Sequence, residues 1–455
     1  MKLSIDPSIF HDYDIRGVYP TQINEESYYI IGRAIAQFLR VNHIAVGHDT
    51  RLSSPILFKS LTNGILDAGC DVVDLGLIST EMSYFASGFY GFDANVVISA
   101  SHNPPEFNGI KIVKKNVVPL HAGNGLADIK RLAIKNDFSP TIKKGTKSKK
   151  LILDDWVSHA LSFIRLSAIR NLKVVVDAGN GTGGIAWSKV KENIPASIIP
   201  LYWEPDGNFP HHLPDPLNPD NLKDVSKKII EEGADVGFAL DGDADRLFVL
   251  DENGKPVSGT ITTAMLASYL LKKYGPGPVL YNVVCGKIVP ETVKSMGGTP
   301  IRVRVGHSFI KEYMKQYNAL FAGEHSGHLY FRQNYNADSS LIGGLLILEY
   351  LSNANRPLSQ IVAEFDKYPT SGEINFKIDE AQRKLSEIES HLKDASSIDH
   401  IDGTSIWYPD WWCNIRVSKT EGYVRLNIEA DNKEILENSI LRIENIISKL
   451  GGKRV

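Results

Sequence analysis

Cysteine is scarce in this chain: Cys70, Cys285 and Cys413 are scattered over 455 residues. An odd, widely spaced set gives neither a disulfide framework nor a Cys-x-x-Cys metal site, and it suits a reducing compartment. An excess of one charge is also missing. The 50 Lys and Arg nearly cancel the 53 Asp and Glu, leaving a formal charge of −3. A nucleic-acid partner would call for a basic footprint. The one basic run, Lys143-Lys-Gly-Thr-Lys-Ser-Lys-Lys150, lacks interleaved aromatics and reads as a solvated linker. Met1-Lys-Leu-Ser-Ile-Asp6 has no apolar leader core. The longest helix-like apolar stretch, Leu341 to Leu351, is broken by glycines and Glu349. It falls short of the ~20 residues of a membrane span. The expectation is a soluble, cytoplasmic protein with neither nucleic acid nor membrane as partner.

What is present is repetition. The length suggests roughly three domains, and four small ones would fit. Ile44-Ala-Val-Gly47, a helix from about Ser54 and Val72-Val-Asp-Leu75 form one strand–helix–strand pattern. Leu172 to Val176, a helix through Val190 and Ser197 to Tyr202 form a second. Val279 to Val284, a helix closed by Gly297-Gly298 and Ile301 to Val305 form a third. Short β-branched runs flank each helix. Three similar α/β domains follow. The remainder reads as a smaller α+β module: a helix over Lys384 to Leu392, extended segments including Tyr423 to Ile428, and a helix over Lys433 to Leu450. The last carries Leu436, Ile440, Ile443, Ile446 and Ile447 on one face. The expected domains are 1–150, 151–255, 256–370 and 371–455.

Asp241-Gly-Asp-Ala-Asp-Arg246 directly follows the apolar run Val236-Gly-Phe-Ala-Leu240. Acidic groups at a strand's carboxyl end lie where open α/β sheets bind ligands. As alternate residues of an extended segment, Asp241, Asp243 and Asp245 point one way. Converging carboxylates repel unless a cation sits between them, and hard oxygen ligands favour Mg²⁺ or Ca²⁺. A second apolar strand, Asn95 to Ala100, runs into Ser101-His-Asn-Pro-Pro-Glu-Phe-Asn-Gly109 and Lys111. Pro104 and Pro105 keep Ser101 on a loop, where it is a candidate nucleophile or phosphate carrier, or else a turn residue. No GxSxG elbow surrounds it. In Gly323-Glu-His-Ser-Gly-His328, the alternating Glu324, Ser326 and His328 suit a polyhydroxy ligand or a turn. Upstream, His307 ends another strand. Arg416-Val-Ser-Lys-Thr-Glu421 mixes cations and hydroxyls in a turn, suited to phosphate or simply to a hairpin.

Gly179-Asn-Gly-Thr-Gly-Gly184, followed by Glu204, formally fits a dinucleotide fingerprint. A nicotinamide-dependent oxidoreductase would leave the other polar loops without a role, and a tight strand-to-helix turn needs the same glycines. An EF-hand would need Gly where Arg246 stands.

Together these loops resemble the α-D-phosphohexomutase superfamily, nearest its phosphomannomutase/phosphoglucomutase branch. The likeness runs from Tyr13-Asp-Ile-Arg-Gly17 to Ile428-Glu-Ala430 and is carried most specifically by Ser101-His-Asn-Pro and Asp241 to Arg246. It implies three α/β domains with mixed sheets and a smaller C-terminal domain around a central cleft. It implies a phosphoserine at Ser101, held against Mg²⁺ by Asp241, Asp243 and Asp245. Hexose 1-phosphate and hexose 6-phosphate, of mannose or glucose, would interconvert through a hexose 1,6-bisphosphate that also serves as activator. Arg16 and Arg246 would neutralise phosphoryl charge. Lys111 and His328 would move the proton, with His102 supporting the loop. Glu324 and Ser326 would hold sugar hydroxyls, and His307 and Tyr13 would line the cleft. Arg416, Ser418, Lys419 and Thr420 would hold the far phosphate. The partners implied are small-molecule sugar phosphates, for a monomer or homodimer.

Three positions depart from the family's usual pattern. Val284 stands where many members carry a cleft lysine, for which Arg302 or Arg304 would substitute. Lys419 and Gly422 replace the usual Gly or Asn and Pro. Phosphoglucosamine mutase is the alternative within the superfamily. A haloacid-dehalogenase-type phosphatase or mutase would use Asp241 as nucleophile and Asp243 as acid/base, but it usually has Thr or Val where Asp245 stands. A non-enzymatic sugar-phosphate-binding descendant would not need Ser101, Lys111 and three carboxylates.

Overall fold

The computed structural model describes residues 5–138, 141, 143–417 and 423–455. The chain divides into two compact units. One comprises Met1–Ser258, Met314–Asn318 and Ser326–Ser359. The other comprises Gly259–Tyr313, Ala319–His325 and Gln360–Val455.

The first unit opens with a mixed sheet of β1 (Ile15–Val18), β2 (His43–His48), β3 (Asp71–Leu77), β4 (Ala94–Ile98), β5 (Phe107–Lys114), β6 (Val118–Pro119) and β7 (Lys147–Lys149). Its order is β1-β5-β4-β2-β3-β7, with β6 beside β5. β3, β2 and β4 are parallel, and β5 turns back antiparallel to β4. Every residue of β4 is buried, which is why it reads as an unbroken apolar run rather than an alternating one. The helix Glu25–Leu39 starts at Asn24, whose side chain accepts from Ser27 N while Ser27 Oγ accepts from Asn24 N. The basic stretch expected to be a linker is in part a strand. Lys147–Lys149 pairs parallel to β3 as an exposed edge. A row of lysines keeps an open edge from pairing with other chains.

The next sheet runs β12-β11-β10-β8-β9, built from β8 (Lys173–Asp177), β9 (Ser197–Leu201), β10 (Val236–Leu240), β11 (Leu247–Leu250) and β12 (Pro256–Val257). β10, β8 and β9 are parallel, and β11 is antiparallel to β10. The apolar stretch at 341–351 lies in a buried helix, Ser340–Ala354. Its one charge, Glu349, is fully buried and accepts a 2.8 Å bond from Arg165 N. Among the described residues no helix is long and apolar enough to cross a membrane.

In the second unit β13 (Pro278–Asn282) lies parallel to β14 (Thr299–Val303) and β15 (Phe321–Gly323). The first unit contains the antiparallel pair β16 (Leu329–Phe331) and β17 (Ala337–Asp338). The second unit ends in a sheet of β18 (Thr370–Lys377), β19 (Ser397–Asp399), β20 (Thr404–Trp407), β21 (Trp411–Val417), β22 (Tyr423–Ala430) and β23 (Lys453–Arg454), in the order β19-β20-β21-β22-β18-β23. Helices Ala381–Ser390 and Lys433–Lys449 cover it through Leu385, Ile388, Leu436, Ile443 and Ile447. Three α/β regions with mixed sheets and a smaller α+β region are therefore present.

Candidate active site

The carboxylates at the end of β10 converge, but not by strand alternation. Residues 241–245 form a tight turn, with Ala244 in the left-handed region at φ 56°. Asp241 Oδ1 closes it, accepting from the backbone N–H groups of Asp245 (3.1 Å) and Arg246 (3.2 Å). One carboxylate oxygen each of Asp241, Asp243 and Asp245 lies within 4.8 Å of the others, and all three residues are fully buried.

Ser101 meets this turn from another sheet. It sits past β4, left-handed at φ 52°, and its Oγ donates to Asp241 Oδ2 at 2.8 Å. A non-glycine residue in this region costs roughly 1–2 kcal/mol, a strain that marks functional loops. His102 Nδ1 lies 3.2 Å from Ser101 Oγ. Burial, then Arg246 and Arg16, drive the His102 imidazolium well below its usual pKa, so the ring is neutral. Lys111 projects from β5, 2.7 Å from both Asp243 Oδ2 and Asp245 Oδ2. Burial opposes its charge, but these two carboxylates outweigh it and hold the ammonium pKa well above normal.

Three partners of the site carry no signal in the sequence. Thr80, at the start of the helix Thr80–Phe89, donates from Oγ1 to Asp243 Oδ2 at 2.5 Å and from N to Asp243 O at 2.9 Å. Ser99 Oγ donates to Asp243 Oδ2 at 3.2 Å and accepts from Ser101 N at 2.9 Å. Asp338 Oδ2 lies 2.7 Å from His328 Nδ1. Each is separated by at least ten residues from the carboxylate or imidazole it meets, so no local motif announces it.

Arg246 Nε donates to His328 Nε2 at 3.0 Å and lies 3.5 Å from Asp241 Oδ2. With Arg246 donating to Nε2, Asp338 accepts the Nδ1 proton, which makes His328 the Nδ1–H tautomer. Arg16, on β1, pairs with Asp14 Oδ2 at 2.5 Å and donates to Asn103 Oδ1 in the serine loop. Tyr13 is half-buried in the bend just before β1.

The donor set fits a hard cation. Asp243 Oδ1 and Asp245 Oδ1 are buried with no hydrogen-bond partner among the described residues. Burial and the neighbouring Asp245 and Asp243 push the Asp241 carboxyl well above its usual pKa. Asp243 is buried too, but Lys111 brings it below normal despite Asp245. The Lys111 ammonium and the Arg246 guanidinium thus face three buried carboxylates, and carboxylate oxygens are the ligands of Mg²⁺ and Ca²⁺.

The dinucleotide-like loop faces the same turn without carrying chemistry. Thr182 N donates to Gly242 O at 3.0 Å. A Cβ on Gly181 would lie 2.5 Å from Gly242 O, and one on Gly242 would lie 2.6 Å from Ser101 O. Gly181 and Gly242 thus let three loops stack backbone to backbone.

The remaining candidates are distributed over the chain. After β15 the chain turns through residues 324–327 rather than continuing as an alternating strand, with Gly327 at φ 89°. Glu324 belongs to the second unit, whereas Ser326 and His328 belong to the first. Glu324 Oε2 accepts from Asn282 Nδ2 at 3.1 Å, and Ser326 is half-buried. His307 begins the helix His307–Gln316, 3.4 Å from Lys311 Nζ. Arg416, next to last in β21, lies opposite Arg425, and both lie 3.5 Å from Glu373. Ser418, Lys419, Thr420 and Gly422 lie outside the described residues. Arg302 is not available as a stand-in for a lysine at 284: it donates to Asp399 (2.6 Å), Ser405 (2.8 Å) and Val283 O (3.0 Å). The Arg304 guanidinium stacks 3.9 Å from the Phe309 ring centroid.

Models of the phosphoglucomutase/phosphomannomutase family match along most of the chain. Its α/β/α domain I matches residues 7–138, domain II 154–254, domain III 258–368 and the C-terminal domain 373–445. A phosphomannomutase from Escherichia coli is 38% identical over 451 residues, covering 97% of this chain and 98% of its own. A phosphomannomutase from Methanocaldococcus jannaschii is 36% identical over 451 residues, covering 98% of each. The crystal structure of a phosphoglucomutase/phosphomannomutase family protein from Burkholderia thailandensis superposes with a TM-score of 0.91 at 30% identity, covering 98% of each chain.

Proposed function

Because the chain belongs to the phosphoglucomutase/phosphomannomutase family, we propose that it interconverts hexose 1-phosphate and hexose 6-phosphate, with mannose or glucose as the sugar. It is an isomerase that works by intramolecular phosphoryl transfer. The observation that carries this reading is Ser101 Oγ, 2.8 Å from Asp241 Oδ2 at the edge of a buried three-carboxylate cluster. In the proposed cycle phosphoserine 101 gives its phosphoryl group to the free hydroxyl of a hexose monophosphate. The serine O–P bond breaks, a sugar O–P bond forms, and the hydroxyl proton passes to a base. The bound hexose 1,6-bisphosphate then reverses and returns its other phosphoryl group to Ser101.

Such a transfer is mostly positioning and charge stabilisation. Asp241, Asp243, Asp245 and the Ser101 oxygen would hold Mg²⁺, which supplies neutralisation of the non-bridging phosphoryl oxygens. Arg246 and Arg16 supply further positive charge from fixed positions. The two proton-transfer candidates differ. His328 donates from Nδ1 to Asp338, so its lone-pair nitrogen is Nε2, which here accepts from Arg246 Nε, and this nitrogen suits the accepting role. Lys111, held charged by two carboxylates, suits donation and neutralisation. Neutral His102 supports the serine loop. Glu324 and Ser326 would bind sugar hydroxyls, and Tyr13 and His307 would also contact the substrate. Arg416 with Ser418, Lys419 and Thr420 would bind the distal phosphate. Mannose is the favoured sugar, since several relatives are phosphomannomutases.

The test is Ser101→Ala, assayed with mannose 1-phosphate and glucose 1-phosphate and a trace of the matching bisphosphate. Turnover should disappear with both sugars; unchanged turnover would overturn the reading. Wild-type rates with mannose, glucose and glucosamine 1-phosphates side by side decide the sugar.

A further inference from the structure

A guanidinium with no place in the proposed chemistry lies beneath the serine loop. Arg51 follows β2 and its side chain is fully buried. Its two terminal nitrogens donate to four main-chain carbonyls of one loop. Nη2 reaches Ser101 O (2.9 Å) and Asn103 O (2.5 Å); Nη1 reaches Pro104 O (2.5 Å) and Phe107 O (2.9 Å). The third nitrogen, Nε, lies 3.2 Å from Asp49 Oδ2. Asp49 Oδ1 in turn accepts from Arg51 N (3.0 Å) and Ser54 Oγ (2.5 Å). The planar fork is therefore held at its base and spent entirely on the backbone that carries Ser101. The far end of the loop is tied to the same segment, as Asn108 Nδ2 donates to Ser53 Oγ and Ser54 Oγ, each at 2.9 Å.

The arrangement has a reason in the backbone. Ser101 is left-handed, and a serine relaxes from that region unless its surroundings hold it. Its N–H is fixed by Ser99 Oγ and its C=O by Arg51 Nη2. The pair fixes both peptide groups flanking the Ser101 Cα, and with them the direction of Oγ toward Asp241. Pro104 and Pro105 supply no N–H; Pro104 O accepts from Phe107 N within the loop at 3.1 Å, whereas Ser101 O and Asn103 O are met by Arg51 from outside it.

We propose that Arg51 is a positioning residue for phosphoryl transfer: it holds Ser101 in its left-handed conformation by binding four carbonyls of the serine loop. This rests on Ser101 being the phosphoryl carrier. Arg51 itself touches neither the carboxylates of the turn nor any group assigned to the sugar. Lysine at 51 keeps the charge, but it has one nitrogen in place of a fork and cannot reach four carbonyls. A displacement of about 1 Å at a reacting group costs about 10²-fold in rate.

The experiment compares wild type, Arg51→Lys, Asp49→Asn and Ser101→Ala for kcat, KM, thermal midpoint and phosphate on Ser101 by intact mass. Arg51→Lys should lose about 10²-fold in kcat with KM within about threefold, the signature of lost transition-state geometry at retained binding. Its phosphorylation by hexose 1,6-bisphosphate should slow in parallel. A folded Arg51→Lys enzyme with kcat within twofold of wild type, or with KM rising in step with the loss, would overturn the proposal. If Arg51→Lys does not fold, Asp49→Asn decides, since it keeps the fork but loosens its base. A fall in kcat of about fivefold or more at steady KM supports the proposal, and an unchanged kcat overturns it. Ser101→Ala separates the two levels. Retained turnover there removes the carrier reading, whereas an inactive Ser101→Ala beside an unimpaired Arg51→Lys removes only the role of Arg51.

Discussion

Two loops leave adjacent parallel strands, β8 and β10, and do opposite things. The loop after β10 supplies three carboxylates and an arginine. The loop after β8 resembles a nucleotide-binding sequence, yet what it supplies here is room. Gly181 lets the backbone at Gly242 come close, and Gly242 in turn lies against Ser101 O. The acidic turn meets the serine at Gly242, which has no side chain to hold them apart, and Gly181 leaves room for the backbone there. The difference teaches that a glycine pattern marks close approach, whereas the chemistry is carried by groups that need compensation once buried. Asp243 shows such compensation: Thr80, Ser99 and Lys111 all reach its Oδ2, and Oδ1 remains for a cation.

The largest expected effect breaks the acidic side of this comparison. Asp241→Asn or Asp243→Asn should lower turnover by ~10²–10³-fold, the cost of losing a group that meets developing charge. Calorimetric Mg²⁺ titration should show the matching loss of affinity; wild-type affinity in both variants would contradict the assignment of these carboxylates. Gly242→Ala comes next. Its methyl group would press on Ser101 O, so the serine and the turn must part, with turnover down by about 10²-fold. Steady-state rates on folded protein check this. Gly181→Ala, on the glycine side, should act mainly on stability. Overpacking against backbone costs ~1–3 kcal/mol, read as a lower thermal midpoint, with a smaller loss of turnover than in Gly242→Ala.

The smallest effect on turnover is expected at Glu81, which accepts from Ser339 Oγ at 2.6 Å and Leu341 N at 3.3 Å. Burial pushes its pKa up to about 8, despite both donors. A folded-state pKa raised above that of the unfolded chain means that the folded protein keeps a proton the unfolded chain gives up. The contribution is therefore full below about pH 4.5 and is lost as pH rises toward about 8, at roughly 1.4 kcal/mol for each pH unit. Glu81→Gln keeps an acceptor for both donors and removes the titration. Its thermal midpoint should gain on wild type between pH 5 and pH 8; parallel curves would show that Glu81 is ionised in the fold.

Much of the fold was legible because buried parallel strands are continuous apolar runs. Val236–Leu240 is a strand with the limits expected, and the helices after Ile44–Gly47 and Val279–Val284 occur where glycine stop signals ended them. The Lys147–Lys149 edge strand was not legible, since an exposed lysine run looks the same whether solvated or paired on one side. In the site, the residue types at 101, 111 and 241–246 were legible from their chemistry. The way they converge was not: alternation along an extended strand was expected, and a left-handed Ala244 closes a turn instead. Thr80, Ser99, Arg51 and Asp338 escaped notice because each is held to its partner by the fold rather than by a motif.

The central claim is that Ser101 carries the phosphoryl group while the acidic turn holds the metal. It is tested most directly by incubating the dephosphorylated protein with Mg²⁺ and hexose 1,6-bisphosphate and locating the adduct by peptide mass spectrometry. The account predicts one phosphoryl group, on Ser101, formed in wild type and absent without the divalent ion. Phosphate on Asp241, or none on Ser101 in an enzyme that turns over, would contradict it.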